Sequence, residues 1–151
     1  MKPIKSFGDF IREGVVRKQT SDIPRARFLI REVEKSYRFV DRVVGDMGID
    51  DGNANAVVKL CYDIITEIIR AKMLLEGFNA SGQGAHEAEV SYMREIGLNE
   101  NSVQFANQLR YFRNGMLYYG KILDMEYAEK VMQFTKDMYP KLMKLIPSNV
   151  R

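Results

Sequence analysis

The chain has 151 residues, of which 46% are hydrophobic and 28% charged, with a net charge of +3, one cysteine and one histidine. Such length and composition suit one globular domain with a full core, and argue against a disordered or membrane-spanning chain. One cysteine excludes an internal disulfide, and Cys61 with His86 gives too few nitrogen and sulfur ligands for a metal centre. Neither metal nor cofactor is therefore expected, and Cys61, lying within an apolar stripe, reads as a packed thiol in a reducing compartment. The opening "MKPIKSFGDFIREG" is too charged for a signal peptide, so a cytoplasmic protein with no membrane partner is expected.

Helical periodicity runs through the chain, and no convincing alternating strand appears. Residues 3–18 are expected to form a short first helix. "SDIPRARFLIREVEKSYRFVDRVVGDMG" is a second, with Ser21 or Asp22 as its cap, Pro24 in the tolerated first turn and Gly45 and Gly48 marking its end. Ala26, Ile30, Val33, Tyr37, Val40, Val44 and Met47 recur along it at steps of four and three, which is a bundle seam.

A third helix follows "IDDGNAN" and carries Val57, Cys61, Ile64, Ile68 and Leu75 to a terminal Gly77. Leu60, Ile65 and Ile69 widen its apolar face enough to touch more than one neighbour. "FNASGQGAH" reads as a loop and "AHEAEVSYMREIG" as a fourth helix closed by Gly97. Asn99 caps a fifth from about 100 to 122. A last helix begins near Asp124, with Val131, Phe134, Met138, Leu142 and Leu145 on its seam and Pro140 expected to kink or interrupt it. Short connections make successive helices antiparallel neighbours. The expected fold is all-α: an up-and-down antiparallel bundle with additional short helices, one domain over 1–151.

Charge is unevenly spread. Residues 1–48 carry 11 basic and 7 acidic side chains, 49–100 carry 4 and 9, and 101–151 carry 8 and 4. Basic ends around an acidic middle permit a local phosphate-binding surface without strong steering. The candidate surface is "LRYFRNGMLYYGK", residues 109–121. On a helix, Leu109, Phe112, Met116, Tyr119 and Leu123 form the core stripe. Arg110, Arg113, Asn114, Leu117, Tyr118 and Lys121 gather opposite, where Gly115 and Gly120 permit close approach. Arginine offers phosphate a planar fork and tyrosine can stack on a base, so Arg110, Arg113, Asn114, Tyr118 and Lys121 are candidate nucleotide- or RNA-binding residues. The same face also suits packing against a second copy, its arginines paired to glutamates.

"LRYFRNGMLYYG", preceded by "CYDIITEIIRAKMLLEGFNASGQGAHEAEVSYMREIG", resembles the HEPN superfamily (higher eukaryotes and prokaryotes nucleotide-binding domain) over roughly residues 55–123. Members are helical bundles, often dimeric, whose signature is an arginine, usually a polar residue next, and a histidine four to six positions on. Arg113 and Asn114 match its start, and Tyr118 stands where the family has histidine. In active members the arginine and histidine support metal-independent RNA cleavage, in which the 2′-hydroxyl attacks the neighbouring phosphate. A tyrosine with a reference pKa near 10 is only about 0.1% ionised at pH 7, which makes it a poor base. The resemblance therefore implies a homodimeric nucleotide- or RNA-binding or interaction protein without nuclease activity, in the manner of family members that partner a nucleotidyltransferase in toxin–antitoxin pairs.

The alternative is a metal-independent ribonuclease using Arg113 with Tyr118 or His86. His86, at the loop-to-helix entry "GQGAHEAEV", is then a substitute base; otherwise it bonds or packs locally at a helix start. Asp63 and Glu67, four apart on the third helix, can pair with Arg113 or Arg110, or with Arg70 or Lys59 on their own helix.

Overall fold

The computed structural model describes residues 3–119 and 123–151, the side chains of 116–119 excepted. Six helices dominate: α1 (Phe7–Arg12), α2 (Ile23–Met47), α3 (Ala54–Leu75), α4 (Ala85–Glu95), α5 (Glu100–Tyr119) and α6 (Met125–Met143). The class is all-α, and α3 is its axis, packing against α2, α4, α5 and α6. Ile64, Ile65, Ile68 and Ile69 are all but fully buried there, so α3 is enclosed on most of its circumference. No helix among the described residues is long and apolar enough to cross a membrane.

The caps lie where side-chain chemistry puts them. Asp22 accepts from the Arg25 amide at 3.2 Å, Asn99 from the Ser102 amide at 2.9 Å and Asp124 from the Tyr127 amide at 2.9 Å. Ala26, Ile30, Val33 and Val40 are buried along the α2 seam, with Tyr37 and Val44 packed against the core. Met47, expected to continue that seam, is exposed, because it falls on the last residue before Gly48 turns the chain away at φ 71°. Gly45 lies inside α2 and does not end it. Nor does Pro140 interrupt α6, which runs three residues further to Met143.

Two other expectations need correction. The segment 3–18 is not one helix: α1 has only six residues and stops before Gly14, whose φ of 78° is the left-handed conformation glycine adopts at no steric cost. Beyond it the chain forms a strand, β1 (Val16–Lys18), antiparallel to β2 (Phe78–Ala80), with Arg17 opposite Asn79. β2 lies in a stretch read from sequence as loop.

This small ribbon fastens the end of α3. The Gln19 amide donates to the Gly77 carbonyl (2.8 Å), the Asp22 amide to Leu74 (3.0 Å) and the Ser21 hydroxyl to Leu75 (2.8 Å). Those bonds satisfy carbonyls that a helix end leaves open. They also fix where the chain leaves α3, and with it the Gly82–Gly84 turn into α4. Gly77 has a φ of 85°, and a Cβ there would lie 2.7 Å from the Gln19 carbonyl oxygen. Gly77→Ala is therefore expected to destabilise the protein by more than about 1 kcal/mol, read as a lower urea midpoint with an unchanged denaturant slope.

Candidate functional site

Along one side of α3, Asp63, Glu67 and Arg70 form a charged strip at steps of four and three. The first turns of α4 and the middle of α5 close over this strip, and the charged side chains of all three helices meet there.

Glu89 of α4 sits deepest, at 2% exposure. Its Oε2 accepts from Arg70 Nε at 2.5 Å, and its Oε1 lies 3.2 Å from Arg70 Nη2 and 3.0 Å from His86 Nδ1. Burial alone would raise the Glu89 carboxyl, but the hydrogen bonds from His86 and Arg70 outweigh it and hold the group below the usual glutamate value. An ionised Glu89 makes Nδ1 the protonated nitrogen of a neutral His86, leaving Nε2 as the free acceptor.

α5 does not present its polar residues as one face. Arg113 turns toward α3, with Nη2 3.4 Å from Asp63 Oδ1 and its guanidinium 5.5 Å from the centre of the Tyr62 ring. Arg110 and Asn114, one turn apart, point instead toward the start of α4. The buried Asn107 orients Arg110 through Oδ1, which accepts from Nε at 3.1 Å and Nη2 at 3.0 Å. Nη1 of Arg110 is 3.8 Å from the more exposed carboxylate of Glu87. Tyr62 stands between the two arrangements, its ring also facing that of His86 at 6.5 Å, and burial pushes its hydroxyl well above the usual tyrosine value.

Arg110, Asn114, His86 and Glu87 line a cavity of about 540 Å³ together with the turn from Gly82 to Ala85. Of the residues expected from sequence to bind a nucleotide or RNA, Arg110 and Asn114 are here and Arg113 lies behind the wall. His86, far away in sequence, is brought beside Arg110. The Tyr118 side chain and Lys121 lie outside the described residues, as do Leu117 and Gly120. Asp63 does pair with Arg113, whereas Arg70 takes Glu89 and neither acid of its own helix. Glu67 has no ion-pair partner within 4.0 Å among the described residues.

Sequence reasoning passed over Glu89, Glu87 and Asn107. A signal for Glu89 existed: with His86, Tyr92 and Met93 it shares one side of α4, so a carboxylate falls in an otherwise burying stripe. Among the described residues no group of three or more His, Cys, Asp or Glu side chains is placed to hold a metal ion. Cys61 is fully buried, with its thiol pushed up to about 11 by desolvation, and takes no part in the site. Comparisons of the chain with protein-family models, with curated proteins and with solved structures return no match.

Two carboxylates of the cluster carry opposite signs for stability. Glu89 is depressed, so its contribution is complete above the ordinary glutamate range and is lost as pH falls through the folded value. Glu89→Ala is expected to cost about 3 kcal/mol at pH 7, less at pH 4, by chemical denaturation. Burial and the nearby Asp63 raise Glu67, so its ionised form is a cost that is present at neutral pH and disappears as pH falls below the ordinary glutamate value. Glu67→Gln should therefore raise the melting temperature at pH 7, with the gain fading toward pH 4.

Proposed function

We propose that the protein is a HEPN-like nucleotide- or RNA-binding bundle that recognises phosphate at the Arg110 side of α5 and works as a binding protein, not as a nuclease. One observation supports this above the others: Arg110, held by Asn107, shares an open cavity of about 540 Å³ with Asn114 and His86, a volume that suits a nucleotide-sized ligand. Arginine oriented as a planar fork is the side chain best matched to phosphate oxygens. Among the described residues its one carboxylate contact is Glu87 at 3.8 Å, a long pair whose glutamate is partly exposed and can give way to an incoming anion.

Arg113 has a different part. Bound to Asp63 and covered by Tyr62, it braces α5 on α3, and it reaches a ligand only by giving up that pair. A histidine-free version of the family signature with its arginine so engaged favours binding over cleavage. The reading includes a homodimer that docks through the α5 face, supported by the exposed Tyr111 on that helix. It also includes a cytoplasmic setting and a nucleotidyltransferase as partner of a toxin–antitoxin type, both resting on the resemblance.

A second reading, metal-independent RNA cleavage, is favoured by one contact. The bond from His86 Nδ1 to Glu89 at 3.0 Å leaves Nε2 free at the cavity, the arrangement a general base needs.

Both readings meet in one assay, a short labelled RNA incubated with the protein in EDTA. Binding without cleavage is expected, with Arg110→Ala weakening it roughly tenfold, as the loss of a charge-assisted hydrogen bond implies. Cleavage that vanishes in His86→Ala would replace the first reading with the second. Light scattering at high micromolar concentration is expected to give twice the chain mass, and a monomer would remove the dimer.

A further inference from the structure

The charges around the cavity limit what kind of phosphate it can take. Facing His86 are Glu87 and Glu89 from α4, Asp63 and Arg70 from α3, and Arg110 and Arg113 from α5, while the field of Glu87 also reaches Lys5 ahead of α1. Glu67, on the same strip, adds a further negative charge. Among the described residues around the cavity, these four carboxylates outnumber the three arginines. This is not the run of positive charge that a nucleic-acid backbone follows, one phosphate after another. Positive charge reaches the cavity at one point, the Arg110 fork, with the His86 ring beside it.

The walls point the same way. The turn carries Gly82 at φ 75° and Gly84 at φ 90°, and a Cβ on Gly82 would meet nothing within 4 Å, so that rim is open. The first turn of α4 and the face of α5 supply the other walls. Glu87, at the cavity, repels any phosphate flanking the one bound at Arg110. A strand passing through would bring two such neighbours, whereas a strand end or a mononucleotide brings fewer.

We propose that this cavity is a terminal-phosphate site, taking the phosphomonoester of an RNA end or of a free nucleotide, with Arg110 as its cationic contact and the His86 ring beside it. The inference rests on the reading of the site as a nucleotide or RNA site and names the group that it selects. A monoester carries between one and a half and two negative charges near neutrality, against one for an internal diester, and so gains more from a single concentrated positive point. Glu89 and Arg70 are positioning residues: they hold the ring of His86 from behind at the edge of the cavity.

The test uses the full-length wild-type protein and one short RNA with a phosphate at its 5′ end, at its 3′ end or at neither, followed by fluorescence anisotropy. A mononucleotide serves as competitor and separates a free nucleotide from an RNA end as the source. At least one phosphorylated form is expected to bind roughly tenfold tighter than the unphosphorylated RNA. His86→Asn, a change at a half-exposed position, should weaken that preference and leave the fold intact. His86 is the only histidine of the chain, so its ring signals, which inorganic phosphate is expected to move, can be followed by NMR without ambiguity. Equal affinity for all three RNAs would overturn the terminal-phosphate site while leaving RNA binding intact. No binding of any RNA or nucleotide would overturn both.

Discussion

A carboxylate buried at 2% exposure has to be answered from within the protein, and the answer to Glu89 organises this molecule. An isolated ion in such a place would cost several kcal/mol, so Arg70 must reach it from α3 and His86 from the turn below. Both contacts depend on the rotation and height of α4 against α3. A shift of one residue along α4 would move Glu89 off Arg70 and turn an apolar side chain into the polar strip. The pair thereby sets where α4 begins, and the start of α4 is the floor of the cavity. Its neighbours Tyr92 and Met93, together with the ribbon of β1 and β2, hold the same helix from its apolar side.

The enclosure of α3 explains why the α5 arginines are not simply on the surface. A helix packed on four others leaves its own charges less water, so Asp63 and Arg70 draw on what the covering helices carry, while Glu67 has no ion-pair partner among the described residues. Arg113 is drawn in by Asp63, and desolvation still holds the Asp63 carboxyl above its usual value despite that partner. Arg110, one turn earlier, is instead kept by Asn107 and pointed past α3 toward α4. Two arginines three residues apart in one sequence motif thus receive different surroundings, Arg113 an acid on α3 and Arg110 the amide of Asn107 beside the cavity.

Helix existence and most helix ends were legible from local chemistry. Asp22, Asn99 and Asp124 as caps, Gly48 and Gly77 as stops and the four-three seams all act within a turn or two of themselves. What escaped depends on distant partners. Three-residue strands are too short to show alternation, and Val16–Lys18 pairs with a segment more than sixty residues away. Helical geometry placed Arg110 and Arg113 on one polar side. Which of them meets an acid on α3 and which meets open space is set by packing between helices, and no spacing within α5 encodes it. His86 was singled out for its chemistry, but Glu89 was passed over because a glutamate in a charged helix reads as solvated until the covering surface is known.

The unpaired groups of the core point back to the same seam. Among the described residues three buried polar side-chain atoms have no hydrogen-bond partner: the hydroxyls of Tyr62 and Tyr127 and Nε of Arg113. Two of the three lie together between α3 and α5, beside the ion pairs that line the cavity wall. Each such group costs about 1–3 kcal/mol relative to a satisfied or apolar equivalent. A phenylalanine at position 62 would keep the ring contacts to Arg113 and His86 and drop the hydroxyl. Stability therefore does not account for Tyr62, nor for a guanidinium so deep in the wall that one nitrogen goes unsatisfied. Local inconsistencies of this kind concentrate where a sequence answers to a site as well as to a fold, and here they fall beside the cavity that Arg110 and His86 share.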